Sequence, residues 1–249
     1  MNYAITFSPT GGVEKCARIL ADRLFDSYES YDFATPSEME MLFCRNDTVL
    51  VALPSYSGRC PEVAIERLKR FRGNGAKAIA MVVYGNRAYE DTLIELSDTL
   101  VKWGFNVVAG CVALAEHSIL RNYAAGRPDE EDRKVLEEFA DRIREKLNLP
   151  AIGKPVIPGN RPYKPTGGHP TPITTDACTK CRICAEKCTM NAIDMDDPTV
   201  IDPDKCIGCM RCIKVCPVGA KIIPPETLSG LEARIGKLMA ERKEPELFL

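Results

Sequence analysis

Eight of the chain's twelve cysteines lie close together and are regularly spaced. They form two runs of the pattern C-x2-C-x2-C-x3-C, which are Cys178, Cys181, Cys184 and Cys188, then Cys206, Cys209, Cys212 and Cys216. A spacing of three residues lets successive thiolates of one tight loop face a common point. Each run can therefore supply three ligands to a metal–sulfur core, and the fourth must come from elsewhere. The pattern predicts iron–sulfur chemistry.

Zinc and disulfide bonds are the other common uses of paired cysteines, and both fit this pattern less well. Zinc sites usually take paired C-x2-C motifs with four ligands per ion, whereas here a third cysteine follows each pair in register. Disulfides need an oxidising compartment. The first seven residues have neither the basic start nor the long apolar core of a secretion signal. We therefore expect a cytoplasmic protein with free thiolates.

The two runs resemble those of bacterial-type ferredoxins, in which the fourth cysteine of each run binds the other cluster. The resemblance implies two [4Fe–4S] clusters, one on Cys178, Cys181, Cys184 and Cys216, the other on Cys206, Cys209, Cys212 and Cys188. The runs form an internal repeat with one departure, since Thr189 stands where the second run has Pro217. We expect a local backbone adjustment there and no loss of a ligand.

Length and charge limit the remaining function classes. A chain of 249 residues is long enough for about two domains. The formal net charge of −2 implies no attraction to nucleic acid or to a membrane surface. The apolar stretches, such as residues 78–84, are too short to span a bilayer.

Residues 1–148 alternate strand and helix patterns. Apolar strand runs occur at 3–7, 48–53, 76–84 and 105–114, with a weaker one at 28–33; helical periodicity occurs at 13–24, 62–71, 91–103 and 130–147. Five strands with helices between them predict an α/β domain whose five-stranded parallel sheet is covered on both faces. A ligand of such a sheet belongs at the carboxyl ends of the strands, where the strand order reverses.

Three loops follow strands at that edge, and each has residues suited to a ligand. The first, residues 8–13, combines hydroxyls and glycines with a helix N-terminus, which makes an anion cradle. It has neither the Lys-Ser/Thr ending of a nucleotide-binding P-loop nor the dinucleotide pattern G-x-G-x-x-G. The other two, residues 54–59 and 84–89, place a tyrosine beside small residues, so that Tyr56 and Tyr89 could pack against a flat heterocycle.

Together these features resemble the flavodoxin fold, and the whole chain resembles the flavodoxin–ferredoxin fusion family. The resemblance implies FMN as the ligand. It places the FMN phosphate on Ser8, Thr10, Gly11, Gly12 and Val13. It places the isoalloxazine ring on Pro54, Ser55, Tyr56, Ser57, Gly58, Tyr84, Gly85, Asn86, Arg87 and Tyr89. Flavodoxin phosphate loops commonly carry a hydroxyl where Val13 stands. One hydrogen bond to a charged oxygen is worth about 1.5–3 kcal/mol, so weaker FMN binding is expected.

Composition divides the rest of the chain. Residues 149–172 are rich in proline and glycine and predict an extended linker, which either wraps one module or acts as a flexible tether. Residues 173–224 hold the cysteine repeat, a small α+β ferredoxin-like domain by resemblance. Residues 225–249 read as one amphipathic helix that packs on a module or on a second subunit, so a homodimer stays open. Three isolated cysteines are expected to be small buried hydrophobes: Cys16, Cys44 and Cys111.

Several functions follow from this reading. The first is electron transfer inside one chain, between FMN and low-potential one-electron clusters, in exchange with redox partner proteins whose identity is open. The second is an FMN-dependent reductase of a small-molecule substrate, fed by its own clusters. Its candidate proton donors are Tyr56, Tyr89, Arg87 and His117. In a third, the flavodoxin-like domain is an empty scaffold and only the clusters act.

Overall fold

The computed structural model describes all 249 residues. Residues 1–148, the N-terminal module, contain β1 (Asn2–Thr6), α1 (Gly12–Leu24), β2 (Glu29–Asp32), β3 (Met41–Leu42), β4 (Thr48–Pro54), α2 (Glu62–Leu68), β5 (Phe71–Arg72), β6 (Lys77–Tyr84), α3 (Thr92–Lys102), β7 (Asn106–Leu114) and α4 (Glu130–Leu147). The remaining residues contain β8 (Ile173–Thr174), α5 (Ile183–Glu186), α6 (Arg211–Val215), β9 (Lys221–Ile222), α7 (Pro225–Met239) and β10 (Glu246–Phe248). None of the helices combines the length and apolar character needed to cross a membrane.

The central sheet has six strands in the order β10-β7-β6-β4-β1-β2. The five strands of the N-terminal module pair in parallel throughout. Their order is the doubly wound 2-1-3-4-5 arrangement of flavodoxin-like folds, with its switch point between β1 and β4. The predicted parallel sheet is confirmed, and the chain adds β10 to it as an antiparallel edge strand.

Helices cover both faces of the sheet, which explains why its central strands are apolar along their whole length. All seven residues of β4 are buried. Packing of α2 and α3 on one face forms a core of 24 buried residues, and packing of α1 and α4 on the other forms a core of 23. A strand buried on both faces cannot alternate polar and apolar residues.

One expected helix is shorter than its pattern predicts. Helical periodicity extends over 62–71, but α2 ends at Leu68. Phe71 instead pairs with Met41 in the two-stranded β3–β5 ladder and is buried in the core. Burial of the Phe71 ring therefore takes precedence over continuation of the helix. Of the three cysteines expected to be buried, Cys16 and Cys111 are buried, whereas Cys44 is exposed.

The linker, residues 149–172, has no helix or strand and is held along the N-terminal module. The Asp91 carboxylate accepts hydrogen bonds from the backbone amides of Asn160 and Lys164, at 2.8 and 2.7 Å. Ile157 packs against the core beneath α3 and β7. Of the two paths left open by the composition, the structure has the wrapped one.

The C-terminal segment is only partly the expected helix. The amphipathic helix is present as α7, but the chain then turns and β10 pairs with β7, Leu247 opposite Cys111. The Asn86 amide group holds this turn, since its Nδ2 donates to the carbonyls of Met239 and Glu241 at 2.7 and 2.8 Å. The tail therefore packs on the N-terminal module of its own chain.

Candidate redox sites

The eight clustered cysteines line two separate cavities. The first is lined by Cys178, Cys181, Cys184 and Cys216. The second is lined by Cys188, Cys206, Cys209 and Cys212. The last cysteine of each run therefore joins the other run's first three, which is the grouping that the ferredoxin resemblance implies. We call these groups the outer set (Cys178, Cys181, Cys184, Cys216) and the inner set (Cys188, Cys206, Cys209, Cys212).

The backbone around each set points amide groups at the sulfurs. Four N–H···S bonds recur in matching places of the repeat: from Lys180 to Cys178 and Gly208 to Cys206 at 3.4 Å, and from Ala192 to Cys188 and Ala220 to Cys216 at 3.2 Å. Left-handed conformations at Arg182 and Met210 begin the short helices α5 and α6. Amide donors favour the thiolate over the thiol. Burial opposes this at Cys216, yet the surrounding amides hold its pKa below the usual value.

The donor set fits a cluster better than a single ion. All twelve cysteines are free thiols in the structure. No three cysteine, histidine or acidic side chains converge closely enough to hold one metal ion. Four sulfurs spread around a small cavity, two of them in each set supported by backbone amides, suit a cubane core that fills the space between them.

A third and larger cavity, of about 790 Å³, lies at the carboxyl edge of the sheet. Its lining comes from the loops after β4, β6 and β7, from the linker, from the second cysteine run and from α7: Ser55, Tyr56, Ser57, Tyr84, Gly85, Arg87, Ala88, His117, Ser118, Ile119, Lys164, Pro165, Gly167, Gly168, His169, Pro170, Ile207, Gly208, Thr227, Gly230, Leu231, Arg234 and Ile235. This size lies within the usual range of about 300–1,000 Å³ for ligand sites.

The loop predicted to bind phosphate has the shape of an anion cradle. The Ser8 hydroxyl accepts the Glu14 amide at 2.9 Å, and the Ser8 amide donates to Asp32 at 2.9 Å. Gly11 takes a left-handed conformation at φ 88°. The four amides of Thr10, Gly11, Gly12 and Val13 have no acceptor within the chain. They are free to bind an anion at the helix N-terminus.

Val13 contributes only its backbone to that cradle. Its side chain is 5% exposed and packs in the core beneath α1. The cradle itself does not line the 790 Å³ cavity. The phosphate and the ring of one FMN would therefore lie in adjoining parts of the same sheet edge.

The residues predicted to contact the ring divide into two groups. Six of them line the cavity: Ser55, Tyr56, Ser57, Tyr84, Gly85 and Arg87. Pro54, Gly58, Asn86 and Tyr89 do not. Asn86 instead holds the tail, and the Tyr89 hydroxyl donates to Glu246 of β10 at 3.1 Å. Pro54 ends the buried strand β4, and Gly58 packs against the Glu90 side chain.

His117 has a defined tautomer. Its Nδ1 accepts hydrogen bonds from the backbone amides of Ile119 and Leu120, at 3.2 and 3.0 Å. Burial, with a smaller contribution from Arg87, lowers the pKa of His117 to about 4. A neutral imidazole whose Nδ1 accepts must carry its proton on Nε2. Because His117 lines the cavity, this N–H is available to a ligand there.

Comparison with known proteins supports the assignment of the cysteine repeat. Residues 177–220 match the family model of a 4Fe–4S dicluster domain. No curated protein matches the chain at significant similarity. The chain joins a flavodoxin-like α/β module to a 4Fe–4S dicluster domain.

Solved structures similar to the chain include three redox proteins. The flavodoxin of Streptococcus pneumoniae TIGR4 is 21% identical, with 58% of this chain and 98% of that chain covered and a TM-score of 0.42. Two-electron reduced Megasphaera elsdenii flavodoxin is 15% identical, with 57% and 99% covered and a TM-score of 0.39. Rubredoxin oxygen:oxidoreductase of Desulfovibrio gigas is 16% identical, with 59% and 36% covered and a TM-score of 0.38. The fold assignment rests on the strand order and not on these scores.

The dicluster domain touches the flavodoxin-like module through its inner set. Arg67 of α2 donates to the Thr189 carbonyl at 2.6 Å. Ile207 packs against the core of the module and, with Gly208, lines the 790 Å³ cavity. Tyr56 lines the same cavity near the inner set: burial raises the pKa of its phenol well above the usual value, and the nearby Cys209 and Cys206 add to that shift.

Sequence reasoning missed the residues that close the cavity from outside the sheet. They are Lys164 to Pro170 of the linker, Ile207 and Gly208, and the inward residues of α7. The sequence did contain one signal, which is the glycine at position 208. The structure explains this glycine, since its φ is +60° and an added Cβ would lie 2.7 Å from the Cβ of His169. The linker composition and the apolar stripe of α7 also predicted packing, but not against which surface.

Proposed function

We propose that this protein transfers electrons within one chain, between FMN held at the carboxyl edge of the sheet and two [4Fe–4S] clusters held by the inner and outer sets. One observation carries the proposal: the 790 Å³ cavity is lined both by the flavodoxin-like loops and by Ile207 and Gly208, which lie between two ligands of the inner set. An FMN ring in the cavity and a cluster on the inner set would therefore lie next to each other, so that an electron could pass directly between them.

Bound FMN would supply one- or two-electron chemistry, and the clusters would supply one-electron transfer. The protein's own part is geometric. The Thr10–Val13 amides would hold the phosphate, and Tyr56 would lie between the ring and the inner set. Arg67 fixes the two modules against each other. The outer set lies away from this contact, so we expect partner proteins to exchange electrons there.

Anaerobic purification, followed by measurement of iron, acid-labile sulfide and FMN per chain, tests the composition. We expect about eight iron and eight sulfide, with one FMN. About eight iron without FMN, even after incubation with FMN, would leave a dicluster domain beside an empty scaffold. About two zinc without sulfide would refute the cluster assignment itself.

The coupling needs a separate measurement on the loaded full chain. After photoreduction of the flavin, the cluster absorbance should bleach in a first-order process whose rate does not depend on protein concentration. A rate proportional to protein concentration would show that electrons pass between molecules and would refute the intramolecular route.

A second function, reduction of a small molecule at the flavin, is favoured by the size of the cavity and by His117. Two backbone amides that donate to Nδ1 fix the proton of this cavity-lining imidazole on Nε2. As a neutral imidazole it could donate a hydrogen bond to a substrate beside the ring. A protein that only transfers electrons needs no such group. Turnover of small-molecule acceptors by the FMN-loaded chain would support this alternative.

A further inference from the structure

The cavity at the sheet edge has a second wall that a flavin ring does not need. Beyond the flavodoxin-like loops, it is bounded by Thr227, Gly230, Leu231, Arg234 and Ile235 of α7 and by the linker. Its volume of about 790 Å³ is large for the ring portion of one cofactor. Because the phosphate cradle does not line it, the ribityl phosphate would lie outside. Space for a second, small ligand therefore remains.

The charge of this cavity has one sign. Arg87, Lys164 and Arg234 line it, and no aspartate or glutamate does. Glu90 lies behind the wall and pairs with both Arg87 and Lys164, at 2.7 and 2.5 Å. Arg234 makes no ion pair in the structure, and Arg87 and Lys164 share the single Glu90 carboxylate, so the lining keeps a net positive charge. A ligand that enters should be an anion.

The same wall carries apolar side chains beside its cations. Leu231 and Ile235 lie one turn apart on α7, and Ile119 and Ile207 also line the cavity. Arg234 stands next to Ile235 on the same helix, so a charged group and an apolar surface are presented together. His117 also lines the cavity, and its Nε2–H is a neutral hydrogen-bond donor.

We propose that the cavity binds a small organic carboxylate with an apolar body beside the flavin ring, with its carboxylate on Arg234 and the His117 Nε2–H and its body against Leu231 and Ile235. The site rests on the proposed function, because FMN must occupy the loops for the second ligand to lie beside it. A helix that belongs to neither redox domain thus selects the molecule that can approach the flavin.

Benzoate and its neutral analogue benzamide are the probes. Each is titrated into the full chain already loaded with FMN and clusters, and binding is followed by the change in the flavin absorption spectrum and by calorimetry. We expect benzoate to bind and perturb the flavin and benzamide to bind at least about tenfold more weakly, since a charge-assisted hydrogen bond is lost.

Two variants make the test specific. Arg234→Gln should weaken benzoate binding at least about tenfold and leave benzamide binding unchanged. Arg142→Gln is the matched control, because Arg142 is also an exposed helical arginine without an ion pair, on α4, and does not line the cavity. It should leave both probes unchanged.

Equal binding of the two probes, or an equal loss in Arg142→Gln, would overturn the anion site. So would benzoate binding without any perturbation of the flavin. Failure of the protein to take up FMN would be visible before any probe is added and would refute the proposed function instead. The flavin content of each variant is therefore measured first.

Discussion

The two halves of the dicluster domain share a sequence pattern and a backbone, but the protein places them in different surroundings. Around the outer set, Cys181 is exposed and Val218 is 46% exposed. Around the inner set, Thr189 is 0% and Met210 2% exposed. The inner half docks on the flavodoxin-like module through Arg67 and Ile207, whereas the outer half faces solvent.

This difference separates two tasks that a symmetrical repeat would share. On the proposed route, the inner set would exchange electrons with the flavin across the docked surface, which borders the 790 Å³ cavity, and with the outer set in the same domain. The outer set remains accessible to another protein. One repeated motif could therefore hold one cluster beside the flavin site and another at the protein surface, provided that the chain docks one half and leaves the other uncovered.

Removal of one ligand from each half should give the largest effects. The variants Cys209→Ser and Cys181→Ser should each lower the iron content from about eight to about four per chain. Cys209→Ser should also abolish bleaching of the remaining cluster after flavin photoreduction, because the inner cluster, which receives the electron from the flavin, is gone. Cys181→Ser should retain that bleaching and lose electron exchange with protein acceptors. Iron analysis and flash photolysis check both.

The comparison fails if the two variants slow internal transfer equally. It also fails if Cys209→Ser leaves internal transfer intact, since the outer set would then be the one near the flavin. Each variant serves as the other's control, because both remove one thiolate from one cluster.

Loss of the contact between the dicluster domain and the flavodoxin-like module should give the next largest effect. Arg67 donates to the Phe33 and Ala34 carbonyls at 2.9 and 2.8 Å, besides its bond to Thr189. Arg67→Met leaves these carbonyls without a donor, which should cost about 2–4 kcal/mol of unfolding free energy and slow internal electron transfer. Denaturant titration and flash photolysis measure the two effects.

Arg70→Met is the control for undocking. Arg70 pairs with the exposed Glu38 and donates to the Ser37 carbonyl, and both partners lie in its own module. This variant should change stability by less than about 1 kcal/mol and leave internal transfer unchanged. Equal slowing by both substitutions would mean that Arg67 does not hold the two modules together.

Local patterns predicted both domains, but the relation between them was beyond the sequence. The ferredoxin resemblance implied which cysteines lie together, and apolar runs predicted the buried strands β4, β6 and β7. By contrast, β10 is a three-residue strand that forms only because β7 offers a free edge. The side chains of Asn86 and Tyr89, which were predicted to contact the flavin, bind the tail. Such contacts depend on distant partners, which local periodicity does not encode.

A buried cation beside the outer set should tune its potential. Lys221 is 1% exposed, lines the outer cavity and donates only to the neutral Thr174 hydroxyl and Pro198 carbonyl, both at 2.6 Å. A buried ammonium without a carboxylate needs another anion, and a thiolate-ligated cluster supplies one. Lys221→Met should lower the outer cluster's potential by roughly 90 mV, since one charge within about 8 Å contributes about 2 kcal/mol.

Redox titration followed by electron paramagnetic resonance distinguishes the two clusters. The exposed Lys214, in the same domain, is the control, and Lys214→Met should shift neither potential by more than about 20 mV because water screens its charge. An equal shift of both clusters in Lys221→Met would contradict the assignment of this charge to the outer half.

The smallest effect should come from the one position where the repeat departs from itself. Thr189 follows Cys188 of the inner set, in the place where Pro217 follows Cys216 of the outer set, and its hydroxyl accepts from the Cys209 thiol at 3.6 Å. When the sulfur is a cluster-bound thiolate, the same hydroxyl would be the donor. Proline offers no such donor, so this hydrogen bond belongs to the inner half alone. A hydrogen bond to a ligand sulfur stabilises the more negative, reduced cluster and raises its potential.

Thr189→Val keeps the shape and the carbonyl that Arg67 binds, but removes the bond. It should lower the inner potential by roughly 40 mV, equivalent to about 1 kcal/mol. Thr179→Val, beside the outer set, removes a hydroxyl that bonds no sulfur and should shift neither potential. A shift at the outer cluster in Thr189→Val, or none at the inner one, would show that docking rather than this hydroxyl separates the two halves.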